Sequence, residues 1–230
     1  MTSVKAKTTS LPLTPVTTDR GGYLLLKRAF DVALCLCALP FLLVMMTLIA
    51  FLVVLDTPGS PLFVQERVGK DGQRFRLYKF RTMRADYDDS HDRAYMQLFV
   101  AGDSFGQVVG QDAINKPIRT QDITRVGRVL RRLSLDELPQ VANVLKGDMS
   151  LIGPRPNVPW EVDCYKDWHL ERLAVRPGIT GLAQVHGRST LPFDEIATYD
   201  IAYVRSMSLA LDLSIMMATM RIVVTRQGAL

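Results

Sequence analysis

The feature that most constrains the fold of this chain is an uncharged, apolar run over residues 32–55. As one straight helix the run would be about 36 Å long, which exceeds the roughly 30 Å hydrocarbon core of a bilayer. Pro40 lies inside it and predicts a kink or a break, because proline has no N–H group and clashes with the preceding turn. The part of the run before Pro40 would form only about 12 Å of helix, which is too short to cross a membrane alone.

Positive charges on both sides of this run help to predict whether the helix crosses the membrane. Lys27 and Arg28 precede the run, and six basic residues follow it between positions 67 and 81. Because basic flanks tend to stay in the cytoplasm, the pattern favours a re-entrant helix that returns to the face it entered from. A spanning helix and a buried core helix are the alternatives. We assign residues 1–22 to a flexible segment, residues 23–56 to the membrane helix and residues 57–230 to a compact domain.

Composition narrows the class of protein. Hydrophobic residues make up 48% of the chain and charged residues 22%, so the chain is not expected to be disordered. The net charge of +5 fits an anionic partner such as a phosphate, a lipid headgroup or nucleic acid. No nucleic-acid motif occurs, and the basic residues alternate with acidic ones, so nucleic acid is not expected. Three cysteines without metal-ligand spacing argue against a disulfide framework and against a zinc site.

A β-hairpin is predicted directly after the apolar run. Asp71-Gly72 separates two short segments, residues 61–67 and 73–81, as in a tight turn between strands. The alternation of the second segment places two apolar side chains and two cations on one face: Phe75, Leu77, Lys79 and Arg81. This face suits a strand that leaves the core for an anion site, and an ordinary solvated strand end is the alternative.

Residues 84–122 are polar and weakly periodic, with a short helix expected near residues 92–99, and the sequence does not reveal their role. Residues 123–133 follow with an apolar stripe opposite three arginines. Such a helix can lie on an anionic membrane surface, or it can be a solvent-facing helix with a buried stripe.

A pair of carboxylates, Asp136 and Glu137, begins the next helix, which is predicted to stop at Gly147. Ser134 and Glu137 match a capping box, in which both side chains satisfy backbone N–H groups of the first turn. The same position presents free N–H groups to a phosphate. Adjacent carboxylates can also hold Mg²⁺, and a carboxylate can attack phosphorus. The residues alone leave both interpretations open.

Two turns rich in proline and glycine follow the carboxylates. Arg155 lies between Pro154 and Pro156, and this rigid turn either holds a guanidinium for a phosphate or is only a stiff loop. Residues 176–181 form the second turn and lead into a predicted strand at residues 182–185. A helical pattern is present near residues 195–205. The apolar residues 207–224 contain two charges, which argues for packing on the core or the membrane surface over a second span.

Four stretches together resemble the bacterial sugar transferase family, the small monotopic phosphoglycosyl transferases. They are KRAFD at 27–31, PLFVQERVGKDGQRFRLYKFRTM at 61–83, ITRVGRVLRRLSLDELPQVANVLKGDMSLIGPRP at 123–156 and RPGITGLAQVHGR at 176–188. Two positions depart from the family pattern: Leu39 precedes Pro40, where serine is frequent, and Ser189 stands where asparagine is common.

The resemblance implies an α/β fold. It joins an N-terminal re-entrant, proline-broken membrane helix to a compact cytoplasmic α/β catalytic domain with amphipathic interfacial helices. The location implied is the inner, cytoplasmic membrane of a bacterium. The implied enzyme is Mg²⁺-dependent and moves a sugar 1-phosphate from a UDP-sugar to a polyprenol phosphate, with undecaprenyl phosphate as the expected acceptor, and releases UMP. This step initiates the synthesis of exopolysaccharide, capsule, O-antigen or glycoprotein glycans.

By the same resemblance, Asp136 is the nucleophile that carries the phosphosugar, and Glu137 is its partner near the metal. The positions expected near substrate are Lys79, Arg81, Arg131, Arg155, Arg188 and Asp200. Membrane lipid is an expected partner, and a homodimer is compatible with the sequence. A non-catalytic protein that binds the membrane surface is the alternative. The sequence names neither the sugar nor the glycan pathway.

Overall fold

The computed structural model describes residues 21–84, 90–101, 122–187 and 191–225. The predicted flexible segment, residues 1–22, lies almost entirely outside this part, as do Arg188 and most of residues 84–122. In the described part, helices and two short sheets are mixed. The prediction of a mixed fold with a long apolar helix at its start is therefore confirmed.

The apolar run forms the central part of helix α1, Gly21–Asp56, which is 36 residues and about 54 Å long. The helix is continuous through Pro40, so the predicted break, and with it the proline-broken helix that the resemblance implies, is wrong. A kink at Pro40 is compatible with a continuous helix and stays a prediction. Among the described residues, α1 is the only helix long and apolar enough to cross a membrane, and only 11% of its most apolar window is buried. Side chains such as Leu25 and Phe41 are 75% and 71% exposed. This exposure contradicts the core-helix alternative.

Helix α1 contacts the rest of the domain along its length through one narrow stripe. Near its start, Asp31 accepts a hydrogen bond of 2.7 Å from the Ser150 hydroxyl. Near its end, a carboxylate oxygen of Asp56 accepts one of 2.9 Å from the Val126 N–H. The buried members of the stripe are Lys27, Asp31, Cys35, Ile49 and Val53. One face of α1 therefore belongs to the domain, while the remaining faces are apolar and exposed.

The predicted hairpin is confirmed. Strands β1, Leu62–Val68, and β2, Arg74–Phe80, pair antiparallel, with Leu62 opposite Phe80. The turn between them places Asp71 and Gly72 in the left-handed region, with φ of 54° and 77°, a conformation that glycine adopts without a steric penalty. Leu77 and Phe80 of β2 are buried in the core, so the strand is fixed against the domain.

Two further helices follow the hairpin in the described part of the chain. Helix α2, Ser90–Ala101, confirms the short helix expected in this part of the chain. Helix α3, Arg125–Arg132, begins at Thr124, whose hydroxyl accepts the Gly127 N–H at 2.9 Å. Leu130 of α3 packs with residues of α1 and β2.

The carboxylate segment forms a 3₁₀ helix, Leu135–Gln140, that continues into helix α4, Val141–Lys146. The helix ends as predicted at Gly147, which has a φ of 95°. Strand β3, Ser150–Ile152, then pairs parallel with β4, Gly178–Thr180. The chain between these strands forms helix α5, Pro159–Val162, and a 3₁₀ segment, Asp167–Ala174.

The prediction of a strand at residues 182–185 is wrong. These residues form helix α6, Leu182–His186, and the strand is the preceding β4. Pairing with β3 uses the backbone only as far as Thr180. The Val185 N–H then bonds the Gly181 carbonyl at 3.2 Å, which closes a helical turn.

Helix α7, Phe193–Ser206, confirms the helical pattern near residues 195–205. Helix α8, Leu209–Thr225, buries Ile215 against Ile152 and Tyr203. Its other side exposes Leu213, Met217 and Met220.

Candidate active site

Three segments bring their charged side chains together around Glu137. The Oε1 atom of Glu137 accepts a hydrogen bond from the Lys79 ammonium at 3.1 Å and from the Arg155 guanidinium at 2.7 Å. Lys79 comes from β2, Glu137 from the 3₁₀ helix and Arg155 from the turn after β3. The Glu137 side chain is 18% exposed and that of Arg155 is 44% exposed, so the cluster opens to the surface on the Arg155 side.

The local backbone explains why the two carboxylates face this cluster. Ser134 has a φ of 55° and ends α3 with a left-handed turn, from which the 3₁₀ helix departs. Its side chain makes no capping bond, so the predicted capping box is not formed. Glu137 is instead engaged by the two cations. Leu135 and Leu138 pack against the core cluster that contains Leu130, and this packing anchors the 3₁₀ helix to the core.

Asn143 links the carboxylate segment to the strand that carries Lys79. Its amide nitrogen donates to the Arg76 carbonyl at 2.7 Å, and its amide oxygen accepts the Tyr78 N–H at 3.1 Å. The side chain is fully buried, and a buried amide with both groups bonded holds α4 and β2 in one register. Sequence reasoning did not single out Asn143. The available signal was a polar residue among the apolar positions of a predicted helix.

The surroundings shift the pKa values of Glu137 and Asp136 in opposite directions. Burial would raise the pKa of Glu137, but the charges of Arg155 and Lys79 outweigh burial and hold that pKa well below its usual range. Burial and the neighbouring charge of Glu137 raise the pKa of Asp136, against the smaller effects of the nearby cations. Burial lowers the pKa of Lys79 to about 8, although Glu137 acts in the opposite direction. Glu137 is therefore held ionised by its two cations, and Asp136 is the more basic of the two carboxylates.

Asp136 differs from Glu137 in its contacts as well. Neither of its carboxylate oxygens has a hydrogen-bond partner among the residues that the structure describes, whereas Glu137 has two partners. The described residues contain no cluster of three or more metal-ligating side chains. Mg²⁺ in phosphate sites is held by one or two carboxylates together with substrate phosphates and water. The free oxygens of Asp136 beside Glu137 therefore fit such an ion.

The turn that carries Arg155 is held by a second buried group. Arg172 donates to the Arg155 carbonyl at 3.1 Å and to the Asn157 side chain at 2.9 Å. It also forms a buried ion pair with Asp200. Arg67 donates to the Pro156 carbonyl at 3.0 Å from the opposite side. Arg172 and Arg67 were not singled out from the sequence, because nothing in their local pattern distinguishes a buried arginine from an exposed one.

The remaining four positions predicted near substrate have four different outcomes. Arg131 donates to the Thr82 hydroxyl at 2.9 Å and lies close enough to Asp136 to affect its pKa. Arg81 is directed elsewhere, since it donates to the Thr57 and Pro58 carbonyls after α1. Asp200 is buried against Arg172. Because Arg172 bonds the Arg155 carbonyl, Asp200 is linked to the Arg155 turn only indirectly. Arg188 lies outside the described residues.

Comparison with known proteins gives consistent matches. The model of a family described as bacterial sugar transferase matches residues 22–226. The chain is 38% identical, over 90% of its length, to a UDP-N-acetylgalactosamine-undecaprenyl-phosphate N-acetylgalactosaminephosphotransferase of Aeromonas hydrophila. It is 37% identical, over 89% of its length, to an undecaprenyl-phosphate galactose phosphotransferase of Salmonella typhimurium. It spans only 45% and 41% of these two relatives. It is also 36% identical to the exopolysaccharide production protein ExoY of Rhizobium meliloti, with 88% of the chain and 87% of ExoY covered.

Proposed function

The chain belongs to the bacterial sugar transferase family, and from that premise we propose that it transfers a sugar 1-phosphate from a UDP-sugar to undecaprenyl phosphate and releases UMP. One observation carries the proposal: Asp136 has free carboxylate oxygens beside a Glu137 that two cations hold in place. The names of the relatives point to undecaprenyl phosphate as the acceptor and to exopolysaccharide production as a use of the product. We therefore propose that the reaction begins the assembly of a surface glycan.

The proposed chemistry has two displacements at one phosphorus atom. A carboxylate oxygen of Asp136 attacks the β-phosphorus of the donor, and the bond from that phosphorus to the bridging oxygen breaks as UMP departs. A phosphate oxygen of undecaprenyl phosphate then attacks the same phosphorus. The bond to Asp136 breaks, which yields the sugar diphosphate lipid and restores the carboxylate.

The contacts of the two carboxylates divide their roles. Glu137 shares one oxygen between Lys79 and Arg155 and has a depressed pKa, so it is the weaker nucleophile of the pair. Asp136 has free oxygens and a raised pKa, and both properties suit attack on phosphorus. We assign to Lys79, Arg155 and Arg131 the role of offsetting the charge of the donor diphosphate, because all three are near enough to Asp136 to lower its pKa. When bound, Mg²⁺ held by Asp136 and Glu137 would supply further charge neutralisation at the phosphates.

We further propose that α1 is re-entrant and that the domain lies on the cytoplasmic face of the inner membrane. The support is that contacts near both ends of α1 involve the same domain. Asp31 bonds Ser150 and Asp56 bonds Val126. A helix that left the domain to cross the bilayer would have only one end available for such contacts.

Substitution of Asp136 by Asn tests the chemistry. The Asn side chain keeps the shape but is a poor nucleophile, so we expect UMP release to fall at least roughly a thousandfold while membrane association is unchanged. Wild-type protein incubated with sugar-labelled donor and no acceptor should carry the label on Asp136, and the variant should carry none. Asp163→Asn, an exposed aspartate outside the cluster, is the matched control and should keep full turnover.

Full UMP release by Asp136→Asn, or label on another residue, would contradict the mechanism. A protein that associates with membranes but releases no UMP from any UDP-sugar in a panel, with undecaprenyl phosphate present, would favour the non-catalytic alternative.

A further inference from the structure

A second basic site lies away from the carboxylate cluster. A cavity of about 70 Å³ opens between the first turns of α1, the hairpin turn and the residues that precede β4. Its charged lining residues are Lys27, Arg28, Asp31, Lys70 and Arg176. None of the side chains around Glu137 contributes to it. The cavity has room for a group of several heavy atoms, since a water needs about 10–15 Å³ on the same measure.

The cations of this cavity are only partly neutralised. Lys27 pairs with Asp212 at 2.9 Å, so its charge is balanced within the protein. Asp31 accepts bonds from the neutral donors of Ser150 and Leu151 and offsets one of the three remaining positive charges, those of Arg28, Lys70 and Arg176. Lys70 has only a loose, exposed contact with Asp71 at 3.7 Å, which contributes little. The cavity therefore has a net positive charge.

Arg28 and Arg176 are held in place by backbone carbonyls and not by acids. Arg28 donates to the Val144 and Leu145 carbonyls at 2.5 and 3.0 Å, and Arg176 donates through Nε to the Gly147 carbonyl at 2.9 Å. Neither guanidinium pairs with a carboxylate in the described part of the chain. The carbonyls at the end of α4 thus orient both groups, while the Nη atoms of Arg176 keep N–H donors for a ligand.

Apolar surface borders the cavity. Leu24 lines it, and the next residues of α1, Leu25 and Leu26, are exposed. Met207, at the start of the segment that leads into α8, also lines the cavity. With α1 placed in the membrane as proposed above, basic groups at the end of its exposed apolar surface lie at headgroup depth, where phosphates are concentrated.

We propose that this cavity binds the phosphate of an anionic membrane phospholipid, at a site separate from the phosphosugar transfer centre. Arginine presents planar pairs of N–H donors that match phosphate oxygens. The apolar borders account for a lipid in preference to a soluble phosphate, because they would contact its acyl chains. Occupation of the site holds the start of α1 at a fixed depth beside α4 and β3. The inference does not depend on the proposed transfer reaction, since binding needs neither donor nor acceptor.

The test uses the full chain in nanodiscs of equal phosphatidylcholine and phosphatidylglycerol, with retained lipid measured by native mass spectrometry. We expect the wild type to retain phosphatidylglycerol preferentially. The double substitution Lys70→Gln and Arg176→Gln should reduce this preference at least roughly tenfold, because it removes charge-assisted hydrogen bonds. Both residues are exposed, and a thermal unfolding curve verifies that the variant is folded.

The matched control is the double substitution Arg74→Gln and Lys146→Gln, which removes the same charges from exposed positions outside the cavity. It should keep the preference of the wild type. Equal loss in the two double variants, or no loss in the cavity variant, would overturn the proposal. Inorganic phosphate is tested on the protein in detergent. If it raises the unfolding temperature of the wild type as much as phosphatidylglycerol does, and not that of the cavity variant, the site takes a soluble phosphate and the lipid assignment is wrong.

Discussion

At the residue scale, the two adjacent carboxylates differ mainly in what their neighbours leave available. Glu137 has one oxygen engaged by both Lys79 and Arg155. Asp136 is next to it in sequence but has no hydrogen-bond partner among the described residues. Because the cations hold Glu137 ionised, its charge adds to burial in raising the pKa of Asp136. The sequence predicts the pair but not this division, which depends on cations from distant segments.

Lys79 connects this arrangement to pH. Burial lowers its pKa to about 8, so the ammonium is charged below that pH and loses its charge above it. We expect kcat/KM, which reports the free enzyme, to fall as the pH rises through about 8. Lys79→Arg keeps its charge at all accessible pH values, so its alkaline fall should move upward even if its maximal rate is lower. An unchanged alkaline limb in this variant would show that another group titrates there.

Arg172 is expected to act on the reaction through the Arg155 turn. Arg172→Lys keeps the buried charge beside Asp200 but loses the planar set of donors that bonds the Arg155 carbonyl and Asn157. We expect kcat/KM to fall about 10- to 100-fold, since small displacements of a catalytic group are costly. The loss should appear mainly in kcat at saturating donor.

The control for Arg172 is Arg205→Lys, an exposed arginine paired with Glu171, which should leave the kinetics unchanged. If Arg172→Lys lowers only the unfolding temperature and not kcat, the residue is structural and does not position Arg155.

At the scale of elements, the sequence predicts best where local chemistry decides. Asp71-Gly72 fixes the hairpin, and Gly147 ends α4, because both positions need a left-handed backbone. The predictions are wrong where a residue or strand distant in the sequence determines the local structure. Ser134 and Glu137 have the pattern of a capping box, but Lys79 of β2 engages the glutamate. Likewise, pairing of β4 with β3 ends the strand before residue 182, although residues 182–185 are apolar enough for a strand.

Asn143 is the element-scale link between α4 and β2, and its loss should affect both. Asn143→Ala leaves the Tyr78 N–H and the Arg76 carbonyl without their buried partner. We expect a loss of about 1–3 kcal/mol in the free energy of unfolding in detergent, together with lower turnover. Lys146→Ala is a matched control, because Lys146 also joins α4 to Tyr78 but at an exposed position. It should change stability by less than about 0.5 kcal/mol. Equal effects of the two substitutions would contradict a special role for the buried amide.

At the scale of the whole molecule, α1 is distinguished by contacts near both ends. A sequence can indicate that a segment is apolar and flanked by cations. It cannot indicate that Asp31 and Asp56 of this segment bond to β3 and α3 of the same domain. The stripe of buried residues is too sparse to stand out in a run where nearly every position is apolar.

Accessibility of the two ends of α1 tests the proposed re-entrant path. Single cysteines are placed at Gly22, where an added side chain meets open space, and at exposed Ser60, in a chain whose native cysteines are replaced. A membrane-impermeant maleimide should label both positions in inverted membrane vesicles and neither in intact spheroplasts. Labelling of the two positions from opposite faces would establish a spanning helix.

The stripe that joins α1 to the domain has a practical consequence for anyone who wishes to handle this protein in water. Deleting residues 21–56 would remove Arg28 from the end of α4 and Asp31 from β3, and would uncover the buried neighbours of Cys35, Ile49 and Val53. The remaining domain would expose the apolar surface that α1 now covers, so we expect it to aggregate and not to serve as a soluble form of the same protein.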